Sequence, residues 1–250
     1  MVKGDIQVLG KAVELMDLLA SGRPLSAAEL SSRLGQPRST VYRILGTLAE
    51  RGWIEEAQHG RYRIGAQLLA TGRSALDQSR LREIALPAMK HLWRSTGLTV
   101  YLFVPSGDKA ICLERIDGSE YDPTWLRTGG WLRYEEGASP RVLLAHDAGG
   151  ARSAWESRLD ENTMPGESAE RLRAFRRRLQ TIKSQGFEFY NGANRGLGYY
   201  GSVAAPLFDR LGHCIASITV GGRKDAVARV QEQADFTSTV ASVAEKLQLR

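Results

Sequence analysis

Cysteine is scarce: the 250-residue chain holds only Cys112 and Cys214, too few and too far apart for a disulfide framework or a cysteine-ligated zinc cluster. The four histidines, His59, His91, His146 and His213, form no HExxH and have no cysteine at ligand spacing, so no metal and no other cofactor is expected. No run of about 18 apolar residues and no charged-then-apolar leader occurs, which argues against a membrane span or a secretory signal and for a reducing cytoplasm. Catalytic motifs are thin as well. Ser106-Gly-Asp-Lys109 matches SxxK but lacks SDN and KTG companions and reads as an Asp/Gly turn. Gly196-Leu-Gly-Tyr-Tyr-Gly201 spells GxGxxG, yet a dinucleotide site needs a strand before it and a helix after it, whereas the residues that follow read as a strand. With no catalytic residues to name, the chain is not expected to be an enzyme. The competing reading is a C-terminal domain that turns over a small molecule.

What the sequence does have is a modest basic surplus. The formal net charge is +6 with a pI near 9.5, which permits a polyanionic partner without requiring one. Residues 33–63 carry six Arg against three Glu, marking where a phosphate backbone would be met.

The elements around that stretch follow from periodicity and punctuation. Ile6, Leu9, Val13 and Met16 recur at spacings of three and four, widened by Leu15, Leu18 and Leu19, so a helix is expected from Ile6 to Ser21, closed by Gly22 and Pro24. Its stripe is wider than a small unit needs, leaving part of it for a partner seam. Ser26-Ala-Ala-Glu29 is a capping box that starts a second helix, ended by Gly35. Pro37 opens a third, running to Arg51, with Val41, Ile44, Leu45 and Leu48 inward and Arg38, Ser39, Tyr42 and Arg43 on the other side. Trp53-Ile-Glu55 and Arg61-Tyr-Arg-Ile64 flank a turn through Gln58-His-Gly60 and read as a hairpin. This order is a winged helix-turn-helix, in which the exposed N-terminal half of the third helix fits a DNA major groove about 12 Å wide. Arg38, Arg43 and Arg61 are then expected on phosphates, with Ser39, Thr40 and Tyr42 at base edges.

Pro37-Arg-Ser-Thr-Val-Tyr-Arg-Ile-Leu45, with Leu48, Gly52 and Tyr62-Arg-Ile-Gly65, resembles the signature of the IclR family of bacterial transcription regulators. The resemblance weakens beyond residue 80 but continues in Gly186-Phe187, Ser202-Val-Ala-Ala-Pro206 and Ala216-Ser-Ile-Thr-Val-Gly-Gly222. It implies an α+β chain: an N-terminal winged helix-turn-helix domain (1–65), a linker helix (66–80) and a GAF-like α/β effector-binding domain (81–250). It also implies a ligand-responsive regulator, a repressor of a catabolic operon that senses a small organic acid or aromatic metabolite. Its partners would be double-stranded operator DNA, a small-molecule effector and copies of itself, as a homodimer or a dimer of dimers.

In the second domain a helix is expected from Leu81 to Thr96, then strands at Thr99–Val104 and Ala110–Ile116, a helix at Ser139–His146, and a basic amphipathic helix over 168–185. Strands at Ser202–Phe208 and Cys214–Val220 and a last helix from Lys224 to Leu247 complete it. Resemblance places effector-binding residues at Ala138, Ser139, Asn191, Tyr200, Ser202, Ser217 and Thr219. Independently, alternation sets the Ser217 and Thr219 hydroxyls on one strand face, and a helix N-terminus at Ser139 favours a carboxylate. Trp125 and Trp131 either close over a ligand or pack the variable segment. Where the family shows a lysine and a glutamate, this chain has Arg141 and, as candidates, Asn194 or Arg195. Arg141 is read two ways, as an anchor for a carboxylate or phenolate effector or as a structural ion-pair residue. Arg176-Arg-Arg178 reads as a solvated helix face.

Overall fold

A computed structural model describes residues 6–20, 22–119, 126–147, 152, 155–156, 167–190, 200–232 and 234–248. Asn191, Asn194, Arg195, Trp125 and residues 196–199 of the GxGxxG stretch lie outside them. The chain divides into two compact units, Met1–Gln78 and Ser79–Arg250. Among the described residues no helix is long and apolar enough to cross a membrane.

The first unit contains α1 (Gln7–Leu19), α2 (Ala27–Leu34), α3 (Arg38–Glu50) and α4 (Gln67–Asp77). Its small antiparallel sheet consists of β1 (Leu25–Ser26), β2 (Ile54–Ala57) and β3 (Arg61–Ile64), in the order β1-β3-β2. The capping box forms as the sequence predicts. Ser26 Oγ accepts from the Glu29 amide at 3.2 Å and Glu29 Oε2 accepts from the Ser26 amide at 2.8 Å. Gly35 ends α2 in the left-handed region at φ 59°, and Ser31 Oγ donates to the Gln36 carbonyl at 2.6 Å across the turn. Leu30, Leu34, Val41 and Leu45 interlock in a core shared with Leu15, Leu19, Leu25 and Ile54, which fixes α3 against α2.

The wide apolar stripe of α1 divides between two faces. The Ile6, Leu9 and Val13 stripe of α1 does not enter the core. These residues are 59%, 59% and 60% exposed, and the inward face consists of Leu15 and Leu19, supported by Ala12 and Leu18. The helix has two apolar faces, and the unit covers only one.

The second unit is built on a six-stranded antiparallel sheet of order β6-β5-β4-β9-β8-β7. Its strands are β4 (Thr99–Ser106), β5 (Lys109–Ile116), β6 (Trp131–Arg133), β7 (Glu188–Tyr190), β8 (Tyr200–Phe208) and β9 (Cys214–Arg223). Successive side chains alternate between faces. Val100, Leu102, Ala205, Ile218 and Val220 pack on α5 (Arg80–Thr96), α8 (Lys224–Glu232) and α9 (Ala234–Gln248). The last two stand where a single helix was expected. Tyr101, Phe103 and Ala204 face the opposite way, onto α6 (Ala138–Ala145) and α7 (Glu167–Gln185).

Candidate functional site

In the first unit, the sequence of α3 separates its two faces. Val41, Ile44 and Leu45 are buried, while Arg38, Ser39, Tyr42 and Arg43 are exposed and Thr40 is half-buried. Tyr42 is 56% exposed. No side chain caps the N-terminus of α3 after Pro37, so its first amides and the positive end of its dipole face outward beside Ser39 and Thr40. Neither Arg38 nor Arg43 has an ion-pair partner among the described residues.

The wing arginines are placed differently. Arg61 Nη1 donates to Glu29 Oε2 at 3.0 Å and to the Pro24 carbonyl at 2.9 Å, fastening β3 to the start of α2. Arg63 Nε donates to Glu55 Oε1 across the hairpin at 2.7 Å. Hydrogen bonds from the Ser26 amide and hydroxyl, with Arg61 and Arg23 close by, hold the Glu29 carboxyl below its ordinary value. Five of the six expected DNA-contacting residues therefore share one α3 surface, and Arg61 doubles as a brace for the wing.

Gly65 keeps the hairpin tight. A Cβ there would lie 2.3 Å from the Gly52 carbonyl oxygen, so the Tyr62-Arg-Ile-Gly65 sequence ends on a residue that only glycine satisfies.

In the second unit, the resemblance-based residues converge in part. Ser217 and Thr219 stand on one face of β9, paired with Phe103 and Tyr101 on β4. Ser139, buried in the first turn of α6, hydrogen-bonds Thr219 Oγ1 and accepts from Ser217 Oγ at 2.9 Å. Ala138 is buried beside it and Ser202 is buried on β8. Tyr200 reaches across Gly221, where a Cβ would meet its hydroxyl at 2.1 Å. The three hydroxyls are thus assembled from two elements under the N-terminus of α6. They bond to one another, so a ligand oxygen entering there would exchange with an existing hydrogen bond and would not meet an empty donor.

The two readings of Arg141 are decided by its contacts. It donates to Glu188 Oε1 at 3.2 Å and to the Glu135 carbonyl at 3.0 and 3.2 Å, and its guanidinium lies 4.8 Å from the Tyr190 ring centre. Arg178 Nη2 sits 2.5 Å from Glu188 Oε2, an ion pair whose angle makes no well-formed hydrogen bond there. Glu188 is fully buried, so both arginines neutralise a carboxylate that the fold itself supplies. This corrects the solvated-face reading for Arg178 and for Arg176, which is engaged with Glu156 at 3.1 Å, while Arg177 is exposed as expected. Glu188 was missed because a glutamate in a three-residue strand reads as surface. Trp131 lies on the β6 edge with the Lys109 ammonium 5.1 Å above its ring.

Comparison with known proteins matches residues 8–57 to the IclR helix-turn-helix domain and residues 73–249 to the C-terminal domain of bacterial IclR transcriptional regulators. The chain is 30% identical over 225 residues to the glycerol operon regulatory protein of Streptomyces griseus, covering 87% of this chain and 85% of that protein. In fold it is similar to an IclR-family transcriptional regulator from Brucella abortus, with a TM-score of 0.82, 19% identity and 99% and 94% of the two chains covered. It is also similar to an IclR homologue from Microbacterium hydrocarbonoxydans solved with 4-hydroxybenzoate, with a TM-score of 0.67, 22% identity and 96% and 98% covered.

Proposed function

Since the chain belongs to the IclR family of bacterial transcription regulators, and is a DNA-binding, ligand-responsive regulator and not an enzyme, we propose how it divides the work. Arg38 and Arg43 neutralise phosphates, Ser39, Thr40 and Tyr42 meet base edges in the major groove, and Arg61, its charge balanced by Glu29, contributes less. The observation that carries this reading is the outer face of α3, where two arginines without ion-pair partners among the described residues flank short polar side chains and an exposed tyrosine. The protein acts in the cytoplasm as a repressor of a catabolic operon, in line with the operon regulator it resembles.

A single winged unit buries too little surface for useful affinity, so two copies meet on a palindrome. They join through the uncovered face of α1 and through α4, where Leu69 is 78% exposed, as a homodimer or a dimer of such dimers. The effector is a small organic acid or aromatic metabolite held at Ser139, Ser217 and Thr219, with Ala138, Tyr200, Ser202 and Asn191 around it. The amides at the N-terminus of α6 favour its anionic end.

The test pairs Ser217→Val with Thr219→Val. With a panel of aromatic and short organic acids including 4-hydroxybenzoate, any acid that changes DNA binding by the parent protein should lose that effect on both variants, while operator affinity without ligand stays within about twofold. Variants that respond as the parent does would place the ligand elsewhere.

A further inference from the structure

The wing carries a conformational irregularity at its tip. β2 and β3 are joined by Gln58-His59-Gly60, and His59 lies in the left-handed region at φ 62° and ψ 38°. It is the one non-glycine residue with positive φ among the described residues. The following Gly60, at φ 66°, takes the same conformation without steric cost. Left-handed backbone is uncommon outside glycine, although histidine is among the side chains enriched there, and residues held in this way concentrate where a side chain has work to do.

Nothing in the fold requires an imidazole at this point. His59 is exposed and makes no hydrogen bond or ion pair among the described residues, so burial and internal pairing do not explain it. Its neighbours, by contrast, are internally matched. Arg61 and Arg23 face Glu29 at 3.0 and 3.6 Å, Arg63 faces Glu55 at 2.7 Å, and Glu56 balances what is left. Three arginines and three glutamates leave the wing without a surplus of charge for a phosphate. Below the tip runs an open groove of about 570 Å³, bordered by Pro24, Glu56, His59, Arg61 and Arg63.

We propose that His59 is the wing's own contact with DNA: an imidazole N–H held outward by the left-handed turn and donated to a backbone phosphate beside the groove that α3 enters. The inference rests on the α3 reading of the DNA interface. It adds a residue to that interface and gives the wing a role that its paired arginines do not fill. A neutral imidazole still carries one N–H donor, so the contact does not depend on protonation. A phosphate contact fixes register and carries no base preference.

The experiment uses the full chain and duplexes that the parent protein selects from a random-sequence library, alongside unrelated duplex DNA. His59→Gly relieves the backbone and removes the donor. His59→Asp keeps a side chain that tolerates the left-handed region but opposes the phosphate. The expected result is a melting temperature no lower than the parent's for His59→Gly, with binding about tenfold weaker on selected and unrelated duplexes alike, and a larger loss for His59→Asp. Unchanged affinity in His59→Gly would overturn the inference while leaving the α3 reading intact. Loss confined to the selected duplex would overturn the phosphate assignment, and loss accompanied by lower stability in both variants would make His59 a structural turn residue. A parent protein that selects no duplex at all would overturn both readings.

Discussion

At the level of single side chains, the second unit holds a titratable group that its hydrogen-bond network does not absorb. His146, at the end of α6, has a buried Nε2 without a hydrogen-bond partner among the described residues, and its ring meets Phe208 edge-on at 5.2 Å. Burial, with the Lys183 ammonium adding to it, lowers its pKa below the ordinary 6.5. The unfolded chain therefore takes up this proton at a higher pH than the folded chain does. Stability is complete above about pH 6.5 and falls as the pH drops through the interval between the two values. His146→Leu should flatten that dependence. Between pH 7.5 and 5.5 the parent's urea midpoint should fall by more than the variant's, and equal falls would show that the proton is taken up elsewhere.

Among the elements, α1 has consequences beyond its own packing. Its inward residues Leu15 and Leu19 complete the first core, while Ile6, Val8, Leu9 and Val13 remain more than half exposed on the outside. An uncovered apolar face of this kind marks an interaction site, and a second copy supplies an identical surface to cover it. Leu9→Glu combined with Val13→Glu should turn the assembly into a monomer by light scattering at micromolar concentration without loss of helix content. A parent protein that is already monomeric, or a variant that stays dimeric, would contradict the α1 seam.

The same helix illustrates what could be read from sequence and what could not. Spacing identified the helix, but both of its faces are apolar, so periodicity alone could not say which one the core takes. The capping box at Ser26, the stop at Gly35 and the α3 faces were legible because each rests on local chemistry. β1 and β7 were not, because Leu25–Ser26 is two residues long and Ser26 also caps α2, and β7 carries a buried glutamate whose partners come from α6 and α7. In the hydroxyl cluster of the second unit, alternation announced that Ser217 and Thr219 share a face. Their bond to Ser139 depends on α6 packing over β9, which no local pattern encodes.

For the whole molecule, the proposed outer-face contact of α3 with DNA, with Arg43 on a phosphate, has a consequence that salt exposes. Each phosphate neutralised by a cation releases condensed counterions, so the slope of log affinity against log salt counts such contacts. Arg43 is exposed and without an ion-pair partner among the described residues, so its removal should cost the interface one contact and leave the core of Val41, Ile44 and Leu45 untouched. The most direct measurement is fluorescence anisotropy of the parent and Arg43→Ala proteins on the same selected duplex across a series of salt concentrations. The variant should bind more weakly at every salt concentration, with a slope smaller in magnitude by about 1. An unchanged slope with unchanged affinity would take Arg43 out of the interface and contradict the account.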